Sequence, residues 1–188
     1  MLAPYNVEYL CDTIRRGLTN YERYLGHAEA RGAAQFLGVG RTAGIFPVVV
    51  RPASMAPATR GPVLLDCPGT GHRIHGELFA VDDRTLEAMD LLEGVRSGHY
   101  YKREVEVAVE ADEAPAAPHS RGAEFLIGQT LRCIAYFFPA NDVLQALPLH
   151  ASYTSDLHEL YAPGPVNQAV RQLCEAPAAE AGRDFKEG

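Results

Sequence analysis

Residues 75–93 read His75-Gly76-Glu77-Leu78-Phe79-Ala80-Val81 and then Asp82-Asp83-Arg84-Thr85-Leu86-Glu87-Ala88-Met89-Asp90-Leu91-Leu92-Glu93, and the change of pattern between the two halves decides the fold. The first half, His75–Val81, is a mostly apolar run of strand length. In the second half Leu86, Met89 and Leu92 recur along a helix predicted over Asp83–Glu93. Asp82 or Asp83 can cap its start and Gly94 can end it. On such a helix Leu86, then Met89 or Asp90, then Glu93 share one side, at steps of three and four. Glu93 thus prolongs an apolar stripe, where an ionised carboxylate is costly. It also stands in the last turn, where the helix dipole disfavours negative charge. Both effects work against the charged form and suit a carboxyl that passes protons near neutral pH. The competing reading ends the helix one turn earlier and leaves Glu93 in water.

Outward from this unit, further strands are predicted at Val7–Cys11, Phe36–Thr42, Pro47–Val50, Val63–Cys67, Lys102–Glu110 and Leu131–Phe138. In Lys102–Glu110, Val105, Val107 and Val109 alternate with charged or small residues, so one face is buried and one is wet. Leu131–Phe138 is apolar almost throughout and reads as a central strand. Helices are expected at Asn20–Ala30 and over a short Asn141–Leu147. Strands divided by only three short helices point to an α+β fold, a small mixed β-barrel or roll flanked by short helices, and away from a doubly wound parallel sheet.

The 188 residues suit one domain, taken as 1–161, with a flexible loop at 110–125 and a poorly ordered tail at 162–188. Within that tail Val166–Cys174 has the makings of a short helix. A 47% hydrophobic share is enough for one sizeable core. The formal charge is −7, with 24 acidic against 17 basic residues and no long basic run, which argues against nucleic acid as a partner. No stretch approaches the roughly 18 apolar residues that a membrane helix needs, and the start lacks the pattern of a signal peptide. Cys11, Cys67, Cys133 and Cys174 are far apart and form no C-x-x-C pair, so reduced thiols in a cytoplasmic protein are expected. Oligomeric state is left open.

The ordered set of short motifs resembles the gamma-glutamylcyclotransferase-like superfamily, most of all its gamma-glutamylamine cyclotransferase branch. There, a G-E-x-Y/F-x-V/I strand leads into a short helix ending in the catalytic Glu, and a Y-x-R segment follows. Gly76-Glu77 through Val81, the helix to Glu93, and Tyr101-Lys102-Arg103 match in turn. So do Gly40-Arg41-Thr42, Phe46-Pro47-Val48-Val49, Pro68-Gly69-Thr70-Gly71, and Thr13-Ile14-Arg15-Arg16-Gly17 with Asn20. The resemblance covers roughly residues 7 to 140. It implies a small mixed barrel and an enzyme that cyclises a gamma-glutamyl group to 5-oxoproline with release of an amine. The partner is then a small gamma-glutamyl compound, and no metal or organic cofactor takes part. By the same resemblance Glu93 is the general acid/base, while Cys11, Asp12, Thr13, Ile14 and Tyr101 bind substrate.

One departure from the family pattern stands out. The substrate-cradling Y-G-T-L loop is here Cys11-Asp12-Thr13-Ile14. Glycine lets a backbone approach a ligand closely, whereas Asp12 adds a Cβ and a negative charge near a substrate that carries its own carboxylate. Altered substrate, lost activity, and unchanged backbone chemistry with Asp12 turned away all follow from this. A catalytically silent binding module on the same fold is therefore the alternative function. Cys11 as a nucleophile is a further reading, set against a buried structural thiol. His72-Arg73-Ile74-His75 has H-x-x-H spacing, yet in a strand those histidines face opposite sides, which makes a shared metal a poor reading. Tyr100, Tyr101 and Tyr136 are candidate pocket residues or ordinary core.

Overall fold

A computed structural model describes residues 7–11, 19–51, 62–111, 126–152, 157 and 165–175. The elements are β1 (Val7–Cys11), a π-helical turn (Tyr21–Leu25) continuing into α1 (Gly26–Ala30), β2 (Ala34–Phe46), β3 (Val48–Val50), β4 (Pro62–Leu64) and β5 (His72–Val81). They continue with α2 (Asp83–Leu92), a 3-10 turn (Val95–Ser97), β6 (Tyr101–Glu110), β7 (Thr130–Phe137), α3 (Asp142–Gln145) and α4 (Gln168–Glu175).

Five strands run in the order β1-β5-β2-β6-β7. Each neighbouring pair in that order is antiparallel. The ends of the order meet through one parallel partner pair, Tyr9 with Ile134. The sheet therefore curls into a barrel-like roll whose seam is narrow, rather than one hydrogen-bonded along its whole length. β3 and β4 form a separate two-stranded ribbon. The fold class is the α+β roll with short helices expected from the sequence.

The roll has two apolar sides. Ile74, Leu78, Val105, Val107, Val109, Cys133, Ala135 and Phe137 pack together on its inner side. Phe36, Val39, Phe79, Val81 and Tyr136 face a second cluster with Tyr24, Leu25, Ala28, Ala88, Met89, Val170 and Cys174 from the helices. Both faces of β5 are thus covered, which is why its sequence is almost continuously apolar. Burying a side chain such as Phe79 or Met89, each 0% exposed, stabilises the fold by about 1.5–3 kcal/mol. Gly40 sits where β2 passes closest to its neighbours: a Cβ there would stand 2.6 Å from Val107 Cγ1 and 2.9 Å from the Ala108 carbonyl oxygen.

Two expectations need correction. β7 is not central: it ends the strand order, and the first half of it is largely exposed. Its apolar character has another cause, because Cys133, Ala135 and Phe137 fill the roll while Ile134 and Tyr136 lie under the helices. Strand Val63–Cys67 stops at Leu64; Leu65 makes an isolated bridge to Phe138, and residues 68–69 turn. Within 162–188, α4 is a formed helix whose Val170 and Cys174 are 0% exposed. Val166, Val170, Leu173 and Cys174 supply the helical stripe that packs it against the core.

α4 and the start of α2 are joined by Arg31 at the end of α1. Its Nε donates to the Cys174 carbonyl at 2.6 Å, its Nη2 lies 3.3 Å from Thr85 Oγ1, and its Nη1 lies 3.7 Å from Asp82. Asp82 is also the N-cap of α2, accepting from the Thr85 amide at 2.7 Å. The start of α2 is therefore fixed on both sides, which determines where its other end falls.

Candidate functional site

That other end is the C-terminus of α2. The helix ends at Leu92, and Glu93 is its C-cap residue, with its amide donating to the Met89 carbonyl at 2.9 Å. Gly94 follows at φ 65°, the left-handed conformation that stops a helix after such a cap. A Cβ at Gly94 would also meet Ser97 Oγ at 3.0 Å and His99 Cβ at 3.1 Å, so glycine is required there twice over. Glu93 is half-buried.

One turn earlier stands Asp90, also half-buried, and it ties this end of the helix to the sheet. Tyr136 donates its hydroxyl to Asp90 Oδ1 at 2.6 Å, and Lys102 Nζ lies 2.8 Å from Asp90 Oδ2. Lys102 and Tyr136 are directly paired across β6 and β7, so both side chains rise from one face of the roll. The α2 last turn contains no basic residue of its own. Lys102 supplies from another strand the positive charge that offsets the unfavourable helix dipole at Asp90.

Tyr136 also marks where β1 ends. Tyr9 pairs with Phe79 on one side and Ile134 on the other, while Cys11 pairs with Glu77. Cys11 lies two residues past Tyr9 on β1, as Tyr136 lies two residues past Ile134 on β7. Glu77 is a carboxylate only 5% exposed, and Tyr136 is 6% exposed. The chain leaving β1 thus starts beside the buried Glu77, and Tyr136, which holds the last turn of α2, stands on the strand that β1 meets at Ile134. Glu77 was missed as a site candidate. Its signal was visible as a charged residue inside an apolar strand, the argument already applied to Glu93.

Of the residues singled out from sequence, Glu93 follows Asp90, which is bonded to Tyr136, and Cys11 closes β1 opposite Glu77. Asp12, Thr13 and Ile14 lie outside the described residues. Tyr101 goes elsewhere. It alternates with Lys102 on β6, and its hydroxyl donates to Asp66, which also pairs with Arg103. Partial burial and the Asp66 hydrogen bond, with the Asp66 charge, push the Tyr101 phenol up to about 12 against the opposing Arg103 charge. With 37% of Tyr101 exposed, the hydrogen bond is the firmer of these causes. Arg103 in turn lies 5.7 Å from the ring centres of both Phe46 and Phe137. Tyr100 packs edge-on to His99 and Phe138, as core rather than as an open surface. The His99 imidazole is lowered by partial burial and by the Arg51 charge.

His72 and His75 share β5, on alternate faces. Among the described residues no group of three or more His, Cys, Asp or Glu is placed to hold a metal ion. No described helix is long and apolar enough to cross a membrane. A groove of about 580 Å³ lies between α2 and α4, lined by Arg84, Ala169, Gln172, Leu173 and Glu175. It adjoins the start of α2, and Arg84 stands nine residues before Glu93, about 13 Å along a helix axis.

Comparison with known proteins adds an independent line. Residues 9–155 match the model of the family described as gamma-glutamyl cyclotransferase, AIG2-like. A gamma-glutamylaminecyclotransferase of Rattus norvegicus is 31% identical over 150 residues, covering 79% of this chain and 89% of that protein. A relative from Arabidopsis thaliana is 36% identical over 106 residues, which cover 56% of this chain and about half, 53%, of that protein. In three dimensions, a crystal structure of an AIG2-like protein from Mus musculus superposes with a TM-score of 0.62 at 29% identity, over 80% of this chain and 89% of that one. The matched span runs from Tyr9 of β1 through the other strands of the roll and takes in α2 with its carboxylate end, and on that ground the chain belongs to the gamma-glutamyl cyclotransferase, AIG2-like family.

Proposed function

We propose that the protein is a gamma-glutamyl cyclotransferase of the kind that acts on gamma-glutamyl amines, with Glu93 as its general acid/base. The observation that carries the reading is the convergence on Tyr136. β1 meets β7 at Ile134, two residues from it, and its hydroxyl holds Asp90, one turn before Glu93. In this reading the backbone of Cys11, Asp12, Thr13 and Ile14 holds the gamma-glutamyl group, and Glu93 faces its α-amino group.

The reaction needs no water and no second substrate. Glu93 takes a proton from the α-amino group, and the nitrogen attacks the γ-carbonyl carbon. A new C–N bond closes the five-membered ring of 5-oxoproline. The amide C–N bond then breaks, and the Glu93 carboxyl returns the proton to the departing amine. A single carboxyl can act in both directions because it is rigidly held at a helix end. The Tyr101 hydroxyl is engaged by Asp66 on the other face of β6, so the proton transfers are assigned to Glu93 alone.

The test is incubation of purified protein with gamma-glutamyl-lysine, gamma-glutamyl-alanine and glutathione, with 5-oxoproline measured directly. Release of 5-oxoproline, greatest from the lysine compound, is expected. No product from any of the three at high protein concentration would overturn the proposal. Asp12 in the glycine position supports the second reading, a silent binding module, and that outcome would favour it.

A further inference from the structure

We infer that Asp90 is a positioning residue, which fixes the last turn of α2 on Lys102 and Tyr136 so that Glu93 is presented at the end of β1. The inference rests on the reading of Glu93 as the reacting carboxyl, and it assigns a role to three residues around it. A helix end is the part of a helix most prone to fray, because its last four carbonyls lack partners within the helix. Gly94 stops α2, and its carbonyl accepts from the Ser97 and His99 amides at 3.1 Å each, which closes the next turn but gives no side-chain tie to the sheet.

Asp90 provides the anchor. Its two oxygens are each engaged, one by the Tyr136 hydroxyl at 2.6 Å and one by Lys102 Nζ at 2.8 Å. Those donors come from two strands at directly opposed positions, so the carboxylate is clamped from both sides of the β6–β7 ladder. Tyr136 is 6% exposed, which holds its ring in one place. The side chains of Asp90 and Lys102 are 23% and 33% exposed, enough shelter for the pair to be worth more than a pair in open water. A carboxylate here gains nothing from the helix dipole, so stability alone does not account for its position. What the clamp secures is the direction of the residue three places on. Misplacing a reacting group by about 1 Å can cost on the order of 100-fold in rate.

Asp90→Asn, Tyr136→Phe, Lys102→Met and Lys102→Arg test this, with kcat and KM measured on the fastest substrate of the gamma-glutamyl panel. Thermal midpoints are recorded alongside, and Glu93→Gln is the reference. The expected result is a fall in kcat of about tenfold or more in Asp90→Asn and Tyr136→Phe, with KM within about twofold. Lys102→Arg recovers most of what Lys102→Met loses. Asp90→Asn with Tyr136→Phe is little worse than Asp90→Asn alone, as expected for groups acting as one unit. If Asp90→Asn does not fold, Tyr136→Phe carries the test, since it removes one oxygen from the clamp. Wild-type kcat in these variants beside an inactive Glu93→Gln would overturn this inference alone. An active Glu93→Gln would overturn both it and the reading beneath it. Losses that track the thermal midpoint, with no separate effect on kcat, would reduce Asp90 to an ordinary stabilising contact.

Discussion

At the scale of single residues, charge placed against its neighbours is the recurring device. Tyr101, Asp66 and Arg103 form one such group, and Tyr136, Asp90 and Lys102 form another on the opposite face of β6. Tyr101 offers a clean check on the first. Its phenol is raised from 10.0 to about 12, so the folded protein holds that proton more tightly than the unfolded chain does. The stabilisation is whole below pH 10 and is lost as pH rises through the folded value near 12. Absorbance titration at 295 nm should show a late-ionising component that Tyr101→Phe removes. The variant should also unfold less steeply with pH between 10 and 12. Tyr101 ionising at 10 with its neighbours would contradict the Asp66 contact.

Among elements, the order of strands and helices was largely legible, because each carries its own periodicity. α2 was expected over Asp83–Glu93 and runs Asp83–Leu92, with Glu93 as its cap. β2 was expected over Phe36–Thr42 and runs Ala34–Phe46, because it continues past an irregular register between Arg41 and Ile45 that no local pattern marks. α4 was expected as a short helix over Val166–Cys174 and runs Gln168–Glu175, its stripe legible despite the Ala- and Pro-rich composition around it. The candidate site was legible only in part. Glu93 could be proposed because its stripe lies within one helix, whereas Lys102 and Tyr136 meet Asp90 only through strand pairing across the ladder, a non-local fact. Arg31 is invisible in sequence for the same reason, although it joins α1, α2 and α4. Its side chain is 12% exposed, and removing it leaves the Cys174 carbonyl and Asp82 without that partner. Arg31→Ala should cost about 2–3 kcal/mol. That corresponds to a fall of roughly 5–10 °C in thermal midpoint. A midpoint within 1–2 °C of wild type, on the order expected for a surface change, would show that the three helices do not depend on it.

For the whole molecule, two apolar clusters on either side of one curled sheet imply a protein whose buried thiols open only with the fold. Cys133 and Cys174 are 0% exposed, and burial pushes the Cys174 thiol up to about 11 despite the Arg31 charge. Alkylation at neutral pH, followed residue by residue by mass spectrometry, should label the half-exposed Cys67 ahead of Cys133 and Cys174. Cys133 and Cys174 should stay unmodified until denaturant unfolds the chain, and early labelling of Cys174 would contradict the packing of α4. The same architecture ties the end of α2 to Tyr136 on β7, the strand that β1 meets at Ile134, and the functional account depends on what the carboxyl of Glu93 does. The most direct measurement is single-turnover release of 5-oxoproline from gamma-glutamyl-lysine by wild type and by Glu93→Gln, each checked for a native circular dichroism spectrum. The account predicts product from the wild type and a drop of at least about 100-fold in the folded variant; a folded Glu93→Gln that forms 5-oxoproline at the wild-type rate would contradict it.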